Sequence, residues 1–202
     1  MKKLLSAVAV AAAVLSINSA MAMAIDASTT GLTGATTITF GTNSYANGTV
    51  LTNQYQSSGI TFNSNTFYYD RSGYFSSSSI RNFDGAQTSA SNSSIFFTST
   101  VNAADFNLLT NGGSTIFQAY LAGALVESFP SAATANSSRY YGFQNIAFNE
   151  IRINAPVNDA FVLDNLQFKA SAVPEPTTIA LLGLGLLGVV ASRRKPAKTE
   201  HA

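Results

Sequence analysis

Between residues 25 and 172 the chain alternates short apolar runs with clusters of Gly, Asn and Ser. That is the pattern of strands separated by turns. The runs fall at 36–40, 49–55, 60–62, 66–69, 94–101, 105–109, 115–121, 125–129, 140–143, 146–153 and 161–168. No 3.6-residue periodicity runs through this stretch, so the spacing predicts strands throughout and no helix. Asn47-Gly48 and Asn111-Gly112-Gly113 are turn sequences that tolerate positive φ, and Ala122-Gly123 reads as the tip of a hairpin. Residues 76–79 and 88–94 read as polar loops or frayed edges.

Two predicted strands slip in phase. Phe161 and Leu163 share one face, but Leu166 and Phe168 fall on the other, with Asp164-Asn165 at the slip. Ile146 and Phe148 are likewise out of step with Ile151 and Ile153 across Asn149-Glu150. One extra residue at each point, a β-bulge, returns all the apolar side chains to the core. Many short antiparallel strands with bulges predict an all-β fold, an antiparallel β-sandwich of jelly-roll type.

The two ends break this pattern. Lys2 and Lys3 precede an apolar run at 4–15, and Ala22-Met23-Ala24 supplies a small-x-small cleavage site. This is a secretory signal peptide, cut before Ile25, with Asn18-Ser19-Ala20 the weaker alternative site. At the other end Pro174-Glu175-Pro176 precedes an apolar run at 177–192, and Arg193-Arg194-Lys195 follows it. The prolines hold an extended, accessible strip, since each lacks an N–H and restricts the residue before it. Thr177 is placed to cap a helix that is apolar all round, which is a membrane-spanning segment rather than a surface helix. The run is short of the roughly 20 residues usual for a span, and snorkelling cations make up the difference. Arg193, Arg194 and Lys195 hold that end in the cytoplasm. The expected organisation is a signal peptide at 1–24, a β-sandwich at 25–172 and a sorting tail at 173–202.

Charged residues make up 10% of the chain, well under the ~25% typical of globular proteins. Within 25–172 the acids outnumber the bases, so there is no basic patch and nucleic acid is not an expected partner. There is no Cys, and the single histidine is His201. Thiolate chemistry, Ser–His–Asp catalysis and His- or Cys-ligated metal sites are therefore excluded from the middle domain.

The Pro-Glu-Pro triplet, short apolar helix and basic stop resemble the C-terminal signal of PEP-CTERM proteins, the exosortase substrates of Gram-negative bacteria. The resemblance implies secretion machinery and exosortase as partners and a transient anchor in the inner membrane. It further implies release to the cell surface or matrix, with association to extracellular polysaccharide and biofilm. A second resemblance concerns the middle. Ile38-Thr39-Phe40, the stretches 48–55 and 59–62, and the closing Phe161-Val162-Leu163-Asp164-Asn165-Leu166-Gln167-Phe168 resemble galactose-binding-like jelly rolls. Gly41 stands where such relatives often carry an acid, which leaves a calcium site shared by first and last strands without that ligand.

Candidate chemistry is sparse. The dispersed acids form no local carboxylate pair of the kind glycoside hydrolysis needs. Asp164 with Asn165 offers hard oxygen ligands to Ca²⁺, or else forms a bulge held by side-chain-to-backbone bonds. Tyr68, Tyr69, Tyr74 and Tyr140 lie beside predicted loops, where they either stack on sugar rings or pack into the core. The expectation is a non-enzymatic exported protein with no cofactor. The alternatives are a carbohydrate-binding module with a definite ligand and a glycan-active enzyme.

Overall fold

The computed structural model of the chain describes residues 21–75, 77–84 and 89–171. Pro174, Glu175, Pro176, Arg193, Arg194 and Lys195 lie outside them, as does the apolar run of the expected signal peptide. The strands are β1 (Met23–Ser28), β2 (Thr36–Ile38), β3 (Ile60–Phe62), β4 (Tyr68–Asp70), β5 (Ser79–Arg81), β6 (Asn92–Thr110), β7 (Gly113–Leu121), β8 (Ala124–Ala133), β9 (Arg139–Asn154) and β10 (Phe161–Ala170). The hydrogen-bonded order is β4-β5-β10-β6-β9-β7-β8, with β1 against β9, β2 against β10 and β3 against β6. Every one of these pairings is antiparallel. Among the described residues the helical elements are two 3-10 turns, Phe40–Thr42 and Gln56–Ser58.

The ladder becomes a sandwich because its long strands bend. β9 pairs with β1 through its first half and with β7 through its second. The β7–β8 hairpin then folds back over the first half. Phe117 of β7 stacks on Tyr141 of β9 at 5.0 Å, and Phe129 of β8 meets Phe143 edge-on at 5.2 Å. Neither pair belongs to the same ladder step, so these rings join two layers face to face. Strands that switch layers at bulges make the corners of such a sandwich. The antiparallel β-sandwich expected from the alternation is the observed class, and the arrangement is consistent with a jelly-roll-like fold.

The bulge predicted at Asp164-Asn165 is present. Asp164 pairs with Asn107 and Gln167 with Asp105, three steps along β10 against two along β6. Asn165 takes a φ of 49°, the left-handed geometry that asparagine tolerates. Phe161, Leu163 and Leu166 are buried, and the half-buried Phe168 packs on Phe97 at 5.5 Å. The second slip differs from its prediction. Phe148, Ile151 and Ile153 are buried, and Ile146 is half-buried against the core. Yet the surplus residues at that break lie on β6, between Phe96 and Val101. β9 stays in register with β7 from Glu150 to Asn154, which leaves β6 to absorb the mismatch. β9 carries its own irregularity at Asn145, whose φ is 64°.

Two further expectations are corrected, and β1 extends past a third. The stretch 49–55 is not a strand: it meets β4 through the bridge from Val50 to Tyr68 and β3 through single backbone bonds from Phe62 N to the Thr52 carbonyl and Ile60 N to the Tyr55 carbonyl. The Gln54 side chain accepts from Thr52 N at 2.6 Å and donates to the Val50 carbonyl at 2.9 Å, folding the segment into a turn that buries Leu51 and Tyr55. Of the stretches read as loops or frayed edges, Ser79 opens strand β5 and 92–94 open strand β6. β1 begins before Ile25: Met23 and Ala24 pair with Gln144 and Phe143, so the strand runs across the expected cleavage point.

Candidate functional site

A cleft of about 220 Å³ opens where the end of β6 meets the start of β10. Its floor follows from the ladder. Leu109 pairs with Val162, and both line the cleft together with Ala160 and Phe83. Its rim comes from turns that contribute Asn111, Asn136 and Asn158. Asn136 and Asn158 adopt φ of 55° and 67°. Asparagine holds such left-handed positions better than most side chains, so the turn chemistry also sets amides around the opening. Tyr74, 56% exposed, forms the aromatic part of the wall. Ser89 lines the cleft as well, and its hydroxyl is closed from solvent with no hydrogen-bond partner among the described residues.

The rim is fastened from behind by buried polar groups. Asn136 N donates to the Thr110 carbonyl at 3.0 Å, and Asn111 N to the Ala160 carbonyl at 3.2 Å. The Thr110 hydroxyl donates to the Asp159 carboxylate at 3.2 Å and accepts from Gly112 N at 2.8 Å. Burial raises the Asp159 carboxyl above its ordinary range, while the Thr110 hydroxyl and Asn111 N–H pull it partly back. Asn82, fully buried, ties the outer segment to the start of β10 and to the stretch that precedes β6. Its Nδ2 donates to the carbonyls of Ala90 at 3.0 Å and Asp159 at 2.9 Å, and its Oδ1 accepts from Phe161 N at 2.7 Å. Sequence reasoning missed Asn82, because a buried amide in a polar-rich stretch reads like a surface residue, and counted Asp159 only among the dispersed acids.

The described lining residues include no carboxylate, cationic or imidazole group. The cleft therefore offers a ring face, amides and hydroxyls over an apolar floor. Such a surface suits a neutral polyhydroxylated ligand, which has apolar C–H faces and many donors and acceptors.

Of the tyrosines singled out by sequence, Tyr74 alone lines this cleft. Tyr68 lies half-buried on β4, its hydroxyl donating to the Asn65 carbonyl at 3.3 Å. Tyr69 is in the core, a correction to its reading as a sugar contact. It pairs with the buried Ile80, meets Tyr45 edge-on at 5.4 Å and donates its hydroxyl to the Asn43 carbonyl. Tyr140 is half-buried on β9 beside Gly31; burial and then the charge of Asp105 raise its phenol. Asp164 is buried, and both its oxygens are engaged: Oδ1 accepts from Phe40 N at 3.3 Å and Oδ2 from the Ser77 hydroxyl at 2.8 Å. With Asn165 forming the bulge, the pair ties the last strand to the segment that covers it. Ala22 and Ala24 are exposed and Ile25 is buried, and the expected cut falls inside β1, where Ala24 pairs with Phe143. Among the described residues no group of three or more His, Cys, Asp or Glu side chains is placed to hold a metal.

Comparison with known proteins reaches one end of the chain. The PEP-CTERM protein-sorting motif matches residues 172–195, a span that begins just before Pro174-Glu175-Pro176 and ends at Lys195. No curated protein matches the chain. The motif marks an exported protein sorted by exosortase, with passage through the membrane and a membrane-anchored C-terminal tail.

Proposed function

We propose that this exosortase-sorted protein is delivered to the cell surface or matrix of a Gram-negative bacterium. There, without catalysing a reaction, it holds extracellular polysaccharide, as in a biofilm, through the Tyr74 cleft. The observation that carries the reading is the cleft itself, an exposed tyrosine beside asparagine amides with no acid or base among the described lining residues. A hydrolytic glycan site needs carboxylates on both sides of the scissile bond. A binding site needs a stacking face and hydrogen-bonding groups, which are the groups present. The signal peptide expected at the N-terminus, cut at Ala24, supports the same route.

The test uses protein exported from a producing cell and polysaccharide extracted from its matrix. The wild type is retarded in a polysaccharide-containing gel. Tyr74→Ala loses about two- to tenfold in affinity, the equivalent of the ~0.5–1.5 kcal/mol of a ring contact. Equal retardation of the two proteins rejects the cleft, and release of reducing ends from the polysaccharide rejects the non-enzymatic reading. Sorting is checked separately. With Pro174, Glu175 and Pro176 replaced by Ala, the folded protein accumulates in the membrane fraction; delivery at the normal level would count against exosortase dependence.

A further inference from the structure

The first and last strands meet at one end of the sandwich. Met23 of β1 pairs with Gln144 of β9, Gln144 with Ala103 of β6, and Ala103 with Lys169 of β10, a single row across four strands. Each of these pairings is antiparallel, so β10 runs toward this end and β1 runs away from it. Just beyond the row, β6 and β9 bend from one layer into the other, where the register shifts between Phe96 and Val101. Ser171 is fastened to the bend, its N donating to the Thr100 carbonyl at 3.0 Å. The tip of the β7–β8 hairpin reaches the same place, where Ala122 N donates to Asn149 Oδ1 at 3.0 Å. The Tyr74 cleft lies at the opposite end: from Val162 on its floor to Ser171, β10 covers roughly 25–30 Å at the rise of a strand.

That separation matters because the tether is short. The sorting motif covers 172–195, and its apolar run opens at Thr177. The chain from Ser171 to Thr177 reaches roughly 20 Å at most, whatever conformation it takes. The bend therefore stays within that distance of the membrane that holds the tail. The cleft is farther from the exit than the tether is long, so it cannot turn down onto the lipid. The surface at the exit suits a bilayer. Thr98, Ser99, Thr100, Asn145 and Ala147 of the bend are exposed and uncharged. Beside the hairpin tip Leu125 and Val126 are 52% and 40% exposed, and apolar side chains left in water mark an interaction surface. Lys169, half-buried two residues before Ser171, adds a cation on the side where anionic headgroups lie.

We propose that, while the tail is anchored, the bend of β6 and β9 and the tip of the β7–β8 hairpin rest on the lipid surface, and the Tyr74 cleft stands at the far end, open to the aqueous side. The orientation follows from the anchored tail and from where the strands deliver it; it does not rest on the polysaccharide reading. The expected signal peptide leaves from Met23, in the same row, so both membrane-directed stretches of the precursor emerge from one end of the sandwich. An outward cleft is accessible to large molecules before exosortase cuts the tail, which lets capture of a ligand precede release.

The chain has no Cys, so one introduced thiol reports on one place. The full chain is made in cells without exosortase, purified with its tail uncut, and reconstituted in vesicles of phosphatidylcholine and phosphatidylglycerol whose headgroups carry a fluorescence quencher. Labels go on Ser99→Cys in the bend, Ala124→Cys at the hairpin tip and Val157→Cys beside the cleft rim, all exposed positions. Emission from Ser99→Cys and Ala124→Cys falls by about half or more, and emission from Val157→Cys is unchanged. A polymer-linked maleimide reacts with Val157→Cys as fast in vesicles as in detergent. Should a label at Ser99→Cys disturb the bend, Ala147→Cys takes its place. Quenching at Val157→Cys equal to that at the bend overturns the orientation, and no quenching at any position overturns contact with lipid. Quenching that appears only after exosortase is added makes the enzyme the partner and likewise overturns the proposal. Leu125→Ser with Val126→Ser lowers the quenching at Ala124→Cys; quenching kept in full removes the hairpin from the contact surface.

Discussion

The two halves of the sandwich are held together by different means. Residues 92–170 form the long strands β6 to β10, whose backbone groups are held mainly in ladders. The described residues of 36–91 form only three-residue strands, and side chains organise them. Phe40 meets Tyr55 at 5.0 Å, Phe62 meets Phe67 at 5.1 Å, and Phe67 reaches Phe161 of β10 at 6.1 Å. Buried polar groups fasten this cluster to the sheet: Asp164 to Phe40 N, Asp70 to Arg81, Asn82 to Phe161 N. A ladder distributes stability over many equivalent bonds. A clasp concentrates it in a few side chains, so single substitutions divide the halves sharply.

The largest effect is expected where the two regimes meet. Deleting Asn165 removes the extra residue of β10 and turns one apolar pair, Phe161/Leu163 or Leu166/Phe168, toward water. Exposing two such side chains costs about 1.5–3 kcal/mol each. Asp164 would also lose its reach to Phe40 and Ser77. Against a typical stability of about 5–15 kcal/mol, this variant unfolds or survives only at low temperature. A Tm close to the wild-type value would show that the bulge is dispensable.

Next comes the charge clasp of the side-chain-held half. Arg81 is buried, pairs with Asp70 at 2.8 Å, donates from Nε to the Phe83 carbonyl at 3.1 Å and lies over the Phe83 ring. Asp70→Ala strands that guanidinium and costs about 3–5 kcal/mol. Denaturant unfolding measures the loss. A double variant, Asp70→Ala with Arg81→Met, recovers much of it, because an apolar pair replaces the stranded charge. The half-exposed pair Arg152–Glu150 of the β6–β10 half makes the contrast: breaking it from the Glu side, by Glu150→Gln, leaves an Arg152 side chain that is 39% exposed and reaches water, and costs under about 1 kcal/mol.

A smaller loss follows from Asn82→Ala. The change leaves Phe161 N and the carbonyls of Ala90 and Asp159 without their side-chain partner. The orphaned Phe161 N costs about 1–3 kcal/mol where water cannot reach it, and a carbonyl short of one partner costs less than an orphaned N–H. The substitution also loosens the rim of the Tyr74 cleft, so polysaccharide retention falls even in protein that remains folded. Retention at the wild-type level in the folded fraction would separate the clasp from the cleft.

The same division governed what sequence could reveal. In the ladder half, alternation exposed the strands and the phase slip of 161–168 exposed the bulge. The slips in β6 and β9 made each continuous strand read as two, since a bend that keeps pairing looks the same as a break. In the clasped half, periodicity had little to work on. Ser79-Ile80-Arg81 is too short to alternate, and its arginine resembles a surface residue until Asp70 is seen beside it. The stretch 49–55 alternates but folds around its own Gln54. Tyr74 could be selected as an aromatic beside a loop, whereas Asn82, Asp105 and Asp159 gave no signal. Their burial depends on cross-strand partners that are distant in sequence.

The smallest effect comes from the carboxyl behind the cleft rim and appears only as pH dependence. Burial raises Asp159 above the ordinary carboxyl value, so the folded chain keeps its proton to higher pH than the unfolded chain. In the window between those two values the folded state binds more protons, and stability falls as pH rises; above the window the loss is complete. Asp105 titrates across an overlapping range, up to about 7, and masks the signal. The comparison is therefore made in an Asp105→Asn background. Adding Asp159→Asn there removes a group that must ionise at a cost, while its amide oxygen still accepts from the Thr110 hydroxyl. Stability measured by denaturant from pH 3.5 to 7 then declines less steeply than in the Asp105→Asn parent, and the curves stay parallel above the window. A slope unchanged by Asp159→Asn would mean that Asp159 ionises as freely in the fold as in the unfolded chain. The rim would then be held by a carboxylate solvated well enough to carry its charge.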